Sequence, residues 1–276
     1  MSARSRAAEL LELLESYEPA SDRSDRLTYR DILRRFPSPS GENESRTPVA
    51  VSHFAALAYC PYTIWHRVRG TPVVRPRRVQ KLVEKGTKEH SVREEKLLEV
   101  VAKAKPASEL ELKDPFVNLV ELPEVQARIE RGRWLYLARL DGLARLAGNV
   151  VIRELKTGRW MGSADHLLQV WAYSVAAPGA LESATKGLLR ANGLLWEIHY
   201  PSRGEVWGPY DVTGAQLRLL TETMEFFETT ASMSATSEEL DLGWTPSVGK
   251  CNACGFAHQC RWRALGAPPT PGALDG

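Results

Sequence analysis

The chain of 276 residues is poor in cysteine, with four, and in methionine, with four. Four thiols are too few for a disulfide-stapled scaffold, and a chain of this length can bury a core without one. Neither sign of charge is in excess: 36 Lys and Arg face 34 Asp and Glu, for a formal net charge of +2. That balance excludes a uniformly polybasic or polyacidic chain, although a local groove can still be basic. No run approaches the roughly 20 apolar residues of a membrane helix. The opening stretch, MSARSRAAELLELLESYEP, carries no continuous apolar core of a secretory signal. The expected location is the cytoplasm, with no membrane partner. Thiols stay reduced there, so four cysteines are expected to be metal ligands or buried thiols.

Leucines at helical spacing predict a short amphipathic helix over 5–17. Residues 36–49 are rich in Pro, Ser and Glu and read as a flexible linker. Residues 1–48 are therefore expected to form an extension, partly helical and then flexible. The main domain is expected over 49–263 and a disordered tail over 264–276. Ser52 is the expected N-cap of a helix through HFAALAYC, and a long helix is predicted over 79–104 with a break near Gly86. Apolar and β-favouring residues over 133–146 and 149–155, around Gly148-Asn149, predict a hairpin. A helix over 164–177, a second hairpin from 192–199 and 204–210, and a helix over 213–231 opened by Thr213 complete the order. Strand pairs between helices imply a mixed sheet flanked by helices, an α/β (α+β) core.

Asp141 falls at the end of the first hairpin strand, and Glu154 and Lys156 at the end of the second, as Glu-Leu-Lys. Alternate side chains share a strand face, so Glu154 and Lys156 point the same way while Leu155 turns into the core. The hairpin then brings Asp141 beside them. Two carboxylates and an ammonium at one sheet edge suit phosphodiester hydrolysis. Mg²⁺ takes one or two protein carboxylates, activates a water and offsets charge on the phosphorane. The lysine can orient or polarise that water, and the Leu155 main-chain carbonyl is a further candidate ligand. Taken alone, the triplet is also the make-up of a solvated hairpin, and short motif matches are often accidental.

Further residues add to it. His90 follows Gly86 by four positions, and an imidazole ligand favours a softer metal such as Mn²⁺. Gln169 and Tyr173 are spaced i, i+4 and share a helix face. They read as a polar pair that contacts DNA or supports the lysine, or as a helix flank. Trp134, Arg139, Arg159 and Trp160 are candidates for a single-stranded DNA path, or are core tryptophans and surface cations. Cys251, Cys254 and Cys260 form C-x2-C-x5-C, and Cys60 stands far upstream in Tyr-Cys-Pro. Such a four-thiolate set can hold a [4Fe–4S] cluster or a structural zinc, and spacing does not choose between them. Either group would close a very long loop.

Tyr59-Cys60-Pro61, Gly86-x3-His90, Leu140-Asp141-Gly142, Glu154-Leu155-Lys156, Gln169-x3-Tyr173 and Cys251-x2-Cys254-x5-Cys260 occur in this order. Together, over roughly 50–263, they resemble the RecB-like branch of the PD-(D/E)xK nuclease superfamily. Within it they look like the iron–sulfur CRISPR-associated exonucleases, the fourth of the numbered Cas proteins. The resemblance implies a restriction-endonuclease-like core and an iron–sulfur clip joining the start and end of the domain. It implies that His90, Asp141, Glu154 and the Leu155 carbonyl bind Mg²⁺ or Mn²⁺, and that Lys156 is the catalytic lysine beside Gln169 and Tyr173. It implies a [4Fe–4S] cluster on Cys60, Cys251, Cys254 and Cys260. The implied activity is degradation of single-stranded DNA ends in CRISPR adaptation, with the integrase complex as a partner. The alternatives are a repair or phage nuclease of the same chemistry, and a non-catalytic iron–sulfur DNA-binding protein. Residues 1–48 lie outside the pattern.

Overall fold

The structure, a computed structural model, describes residues 3–19, 24–37, 46–103, 108–114, 122–156, 163–237, 240, 242, 244 and 246–264. In chain order the first elements are α1 (Ala3–Glu15), α2 (Tyr29–Arg35), β1 (Thr47–Ala50), α3 (Val51–Tyr59), α4 (Tyr62–Val68), α5 (Arg77–Lys103) and α6 (Glu109–Lys113). There follow β2 (Leu122–Arg131), β3 (Trp134–Leu146), β4 (Asn149–Leu155), α7 (Ala164–Thr185), β5 (Leu194–Tyr200), β6 (Glu205–Asp211), α8 (Gly214–Thr236) and α9 (Val248–Ala253).

Both expected hairpins form. β3 and β4 pair antiparallel, as do β5 and β6. The first turn is Ala147-Gly148 rather than Gly148-Asn149. Both residues have positive φ, 46° and 78°, the backbone that a two-residue hairpin turn needs. β4 and β5 run parallel, so a crossover must join them, and α7 supplies it. With β1 and β2 flanking β3, the result is a six-stranded mixed sheet in the order β1-β3-β4-β5-β6, with β2 also on β3. Helices flank it, an α+β arrangement. Among the described residues no helix is long and apolar enough to cross a membrane.

The core lies where α3, α7 and α8 meet the sheet. Phe54 meets Tyr136 and Phe227 edge to face at 5.6 and 5.8 Å, and Trp196 and Trp171 are fully enclosed. α7 runs eight residues past the expected stop, with Pro178 inside it. The lost amide is tolerated because both sides of α7 are clamped in the core, and the Pro178 carbonyl accepts from the Tyr29 hydroxyl at 3.0 Å. α5 is likewise continuous through Gly86. A single glycine costs only about 1 kcal/mol in a helix, too little to break one of 27 residues. Thr213 caps α8 in a capping box with Gln216, as expected, but Ala50 rather than Ser52 is the N-cap of α3. The last strand residue is thus also the first cap, which leaves Ser52 inside the first turn.

The described residues among the first 48 are not set apart from the sheet. Ala7, Leu10, Leu11 and Leu14 of α1, and Leu27, Tyr29 and Ile32 around α2, share one core with it. Residues 25–28 are stitched to the β6–α8 turn: Leu27 N–H donates to Val212 O at 2.9 Å and Ala215 N–H to Asp25 Oδ2 at 2.7 Å. Arg26 adds an ion pair with Asp211 at 2.9 Å. Of the expected linker 36–49, residues 47–49 belong to β1, parallel to β3, and 38–45 lie outside the described residues. So does the tail beyond Ala264.

Candidate active site

β3 is long enough to serve three partners. One edge takes β2 over 134–143, and the other takes β1 at 134–137 and β4 at 142–146. On that second edge 138–141 have no strand beside them among the described residues. Asp141 therefore lies mid-strand, not at a strand end as expected, and sits where the ladder to β4 runs out. Its Oδ2 accepts the Leu155 N–H at 2.8 Å, taking the place of a main-chain partner. The register Gly142↔Arg153 puts Asp141 across from Glu154.

A cavity of ≈ 650 Å³ opens there, between the β3–β4 edge, α5 and α7, and His90, Asp141, Glu154, Leu155, Lys156, Gln169 and Tyr173 all line it. His90 comes from α5, its Nδ1 3.3 Å from Asp141 Oδ1. Lys156 lies one residue past β4. Its N–H still donates to His199 O at 2.8 Å, which prolongs the strand geometry and returns its side chain to the face of Glu154. The ammonium donates to Glu154 Oε1 and to Gln169 Oε1, both at 2.7 Å, and Gln169 Nε2 donates to the Tyr173 hydroxyl at 2.7 Å. The i, i+4 spacing on α7 makes this last contact local.

The two carboxylates differ. Glu154 is 2% exposed, and its Oε2 is buried with no N–H donor on it, close to the Asp141 carboxyl. Burial pushes its carboxyl up to about 8, against the pull of the Lys156 charge. Burial works the same way on Asp141, but the His90 hydrogen bond and charge, with the Leu155 N–H, outweigh it and hold the group below the usual carboxylate value. His90 is raised in turn, first by its hydrogen bond to Asp141. Protein cations thus face both carboxylates, which is how an acidic cluster is stabilised in the absence of a metal. Among the described residues, no three His, Cys, Asp or Glu side chains are gathered closely enough to hold a metal ion as they stand. The donor types nevertheless fit a hard or borderline divalent cation: two carboxylates, an imidazole and a main-chain carbonyl, with one carboxylate oxygen that no N–H group reaches.

The four cysteines lie near one another, although no three of them are close enough to hold a metal ion as they stand. Cys60 and Cys251 are buried, Cys254 and Cys260 half-buried, and all four are free thiols. Cys60 lies close enough to the other three for their charges to interact. Main-chain amides point at the sulfurs: Ala264 N–H at Cys251 Sγ (3.4 Å), Phe256 N–H at Cys254 Sγ (3.5 Å), and the Tyr62 and Trp262 amides at Cys60 and Cys260. Amide donors favour thiolate over thiol. Burial works the other way, raising the Cys60 and Cys254 thiols and taking Cys260 to about 11.

Of the other expected contacts, Arg139 is exposed and lines the cavity. Trp134 does not: it is buried, edge to face with Phe227 at 5.8 Å, because its strand face is the core face. Arg159 and Trp160 lie outside the described residues. Sequence reasoning missed His166, which lines the cavity with Nδ1 3.2 Å from the Tyr200 hydroxyl. Its place three residues before Gln169, on the same helix face, was the available signal. It also missed the apolar wall of Val79, Leu82 and Val83 on α5.

No family model matches the chain, and no curated protein matches it. Among solved structures, the crystal structure of SSO0001 is similar over 86% of this chain and 95% of that one, with 14% identity and a TM-score of 0.39.

Proposed function

We propose that this chain is a metal-dependent DNA exonuclease with a RecB-like PD-(D/E)xK site on a restriction-endonuclease-like core, acting on single-stranded ends in CRISPR adaptation. The observation that carries the reading is the meeting of His90, Asp141, Glu154 and Lys156 at one cavity, with a buried Glu154 oxygen that no N–H group reaches. His90, Asp141, Glu154 and the Leu155 carbonyl would hold Mg²⁺ or Mn²⁺. When bound, the ion supplies a Lewis acid and an acidified water.

The chain's own groups do the rest. The Lys156 ammonium orients the attacking water and balances anionic charge at the scissile phosphate. Gln169 accepts one of its N–H groups and Tyr173 fixes Gln169, so the ammonium cannot swing out to solvent. The His90–Asp141 pair and the Lys156 hydrogen bond to Glu154 keep two close carboxyl groups folded in one cavity. Away from the cavity, Cys60, Cys251, Cys254 and Cys260 would hold a [4Fe–4S] cluster. The amide donors at the sulfurs and the Val74 N–H to Gly255 O bond at 2.8 Å, which already ties the two ends of the domain together, support that assignment.

The test is anaerobic purification followed by an assay on end-labelled single- and double-stranded DNA with Mn²⁺, Mg²⁺ or EDTA. The expected outcome is a brown protein absorbing near ~400 nm and metal-dependent loss of single-stranded DNA from an end. A colourless protein with bound zinc would overturn the cluster, and absence of metal-dependent cleavage would overturn the nuclease.

A further inference from the structure

The near-neutral total charge conceals an uneven distribution. Residues 51–83 and 246–264 hold nine of the 36 basic residues and none of the 34 acidic ones, which leaves the rest of the chain seven charges negative. The two stretches are one surface in space. Val74 N–H donates to Gly255 O at 2.8 Å, Tyr62 stacks on Trp262 at 4.4 Å and His66 on Phe256 at 5.0 Å. Lys250 pairs with Glu15 of α1 at 2.9 Å.

Aromatic planes interleave with these cations. Half-buried Trp65 and Trp262 meet edge to face at 5.3 Å. The Arg69 guanidinium lies 4.6 Å over Trp65, and that of Arg261 lies 4.5 Å over Trp262. Arg75, Arg77 and Arg78 are exposed. Arg77 opens α5, and one residue past Arg78 the same helix begins the cavity wall at Val79, followed by Leu82 and Val83. From Arg78 to His90 the helix rises about 18 Å at ~1.5 Å per residue. That is the length of about five stacked nucleotides at ~3.4 Å each.

We propose that this surface is the lane by which a single nucleic-acid strand reaches the cavity. Arg75, Arg77 and Arg78 hold backbone phosphates, the arginine–tryptophan pairs offer stacking planes, and exposed Leu82 and Val83 receive bases at the cavity mouth. Interleaved aromatic planes and guanidinium groups favour nucleic acid over an acidic protein, because every base has a face to stack. The lane's destination rests on the nuclease reading of the cavity; the binding itself does not.

The test uses the full chain as wild type, R75A/R77A/R78A and R75K/R77K/R78K, with fluorescein-labelled dT20 in EDTA over a salt series. The alanine triple is expected to bind at least tenfold more weakly. Its plot of log affinity against log salt should be shallower by about 2, from ~0.7 per lost phosphate contact on a single strand. The lysine triple should bind near the wild-type level. Hydrolysis of the small ester p-nitrophenyl thymidine 5′-phosphate with Mn²⁺ should be the same in all three. Unchanged affinity and slope in the alanine triple would overturn the lane, as would loss of ester hydrolysis in that variant. Displacement of dT20 by polyglutamate as readily as by unlabelled dT20 would replace nucleic acid with a generic polyanion. Wild-type protein that binds DNA through the arginines but hydrolyses neither substrate would sink the nuclease reading and leave the binding surface standing.

Discussion

Replacing Glu154 with Gln is expected to make the metal-free protein more stable while abolishing the proposed nuclease activity. Burial raises this carboxyl from the ordinary 4.5 to about 8. Between those values the folded chain keeps the proton and the unfolded chain releases it, so wild-type stability falls as pH rises through that window. At ~1.4 kcal/mol per unit, the cost reaches about 3 kcal/mol at pH 7. Gln has no such titration, and its amide oxygen can still accept from Lys156 Nζ, which in the wild type lies 2.7 Å from Glu154 Oε1. E154Q should therefore match the wild type near pH 4 and exceed it by up to about 3 kcal/mol at pH 7. Urea unfolding in EDTA, followed by tryptophan fluorescence on samples of matched cysteine-site occupancy, reads the difference. Mn²⁺ at a hundredfold over its Kd should then stabilise the wild type by about 2.7 kcal/mol and E154Q far less. An E154Q protein no more stable than wild type at pH 8, or stabilised equally by Mn²⁺, would refute the reasoning.

Lys156→Ala should lower DNA cleavage by at least ~10²-fold with little change in melting temperature, and full degradation by that variant would remove the lysine from the mechanism. Cys254→Ala should abolish absorbance near ~400 nm and destabilise the fold more than it alters the metal chemistry at Asp141; an unchanged melting point would end the clip idea. Leu14→Ala should cost about 2–5 kcal/mol, since Leu14 is fully buried, and a loss below 1 kcal/mol would detach α1 from the core. His66 is buried and, with His258 nearby, pushed down to about 4. The folded chain keeps it neutral where the unfolded chain is charged, so stability should fall as pH drops from ~6.5 towards 4. His66→Phe should flatten that fall, as urea titrations at pH 5 and 7 would reveal.

Much of this molecule is local and therefore readable from the chain. The β3–β4 and β5–β6 hairpins, α7 and the Thr213 cap of α8 depend on short-range periodicity and turn residues. The Gln169–Tyr173 contact follows from helical spacing alone. Some local signals were present but overlooked. Thr28-x-x-Asp31 is a capping box that announces α2, and Val125, Ala127 and Ile129 alternate along β2 among Glu, Gln and Arg that suggest helix.

Other features exist only in the assembled fold. β1 is four residues of a Pro- and Ser-rich stretch, a strand only because β3 offers it an edge. α1 is an ordinary amphipathic helix until it packs on α7 and α8, so nothing local distinguishes an extension from a core element. The residue types of the candidate site are legible in sequence, while the distances between them, and Glu154's burial, come from long-range packing. The charge asymmetry is the mixed case. Residues 51–83 and 246–264 lack acidic groups in the sequence itself, but only the pairing of Val74 with Gly255 and the stacking of Tyr62 on Trp262 make them one surface. Composition and spacing determine which groups the chain carries and how neighbours along it are oriented. Tertiary contacts between residues far apart in sequence decide which groups lose water, and burial sets the charge each one can hold.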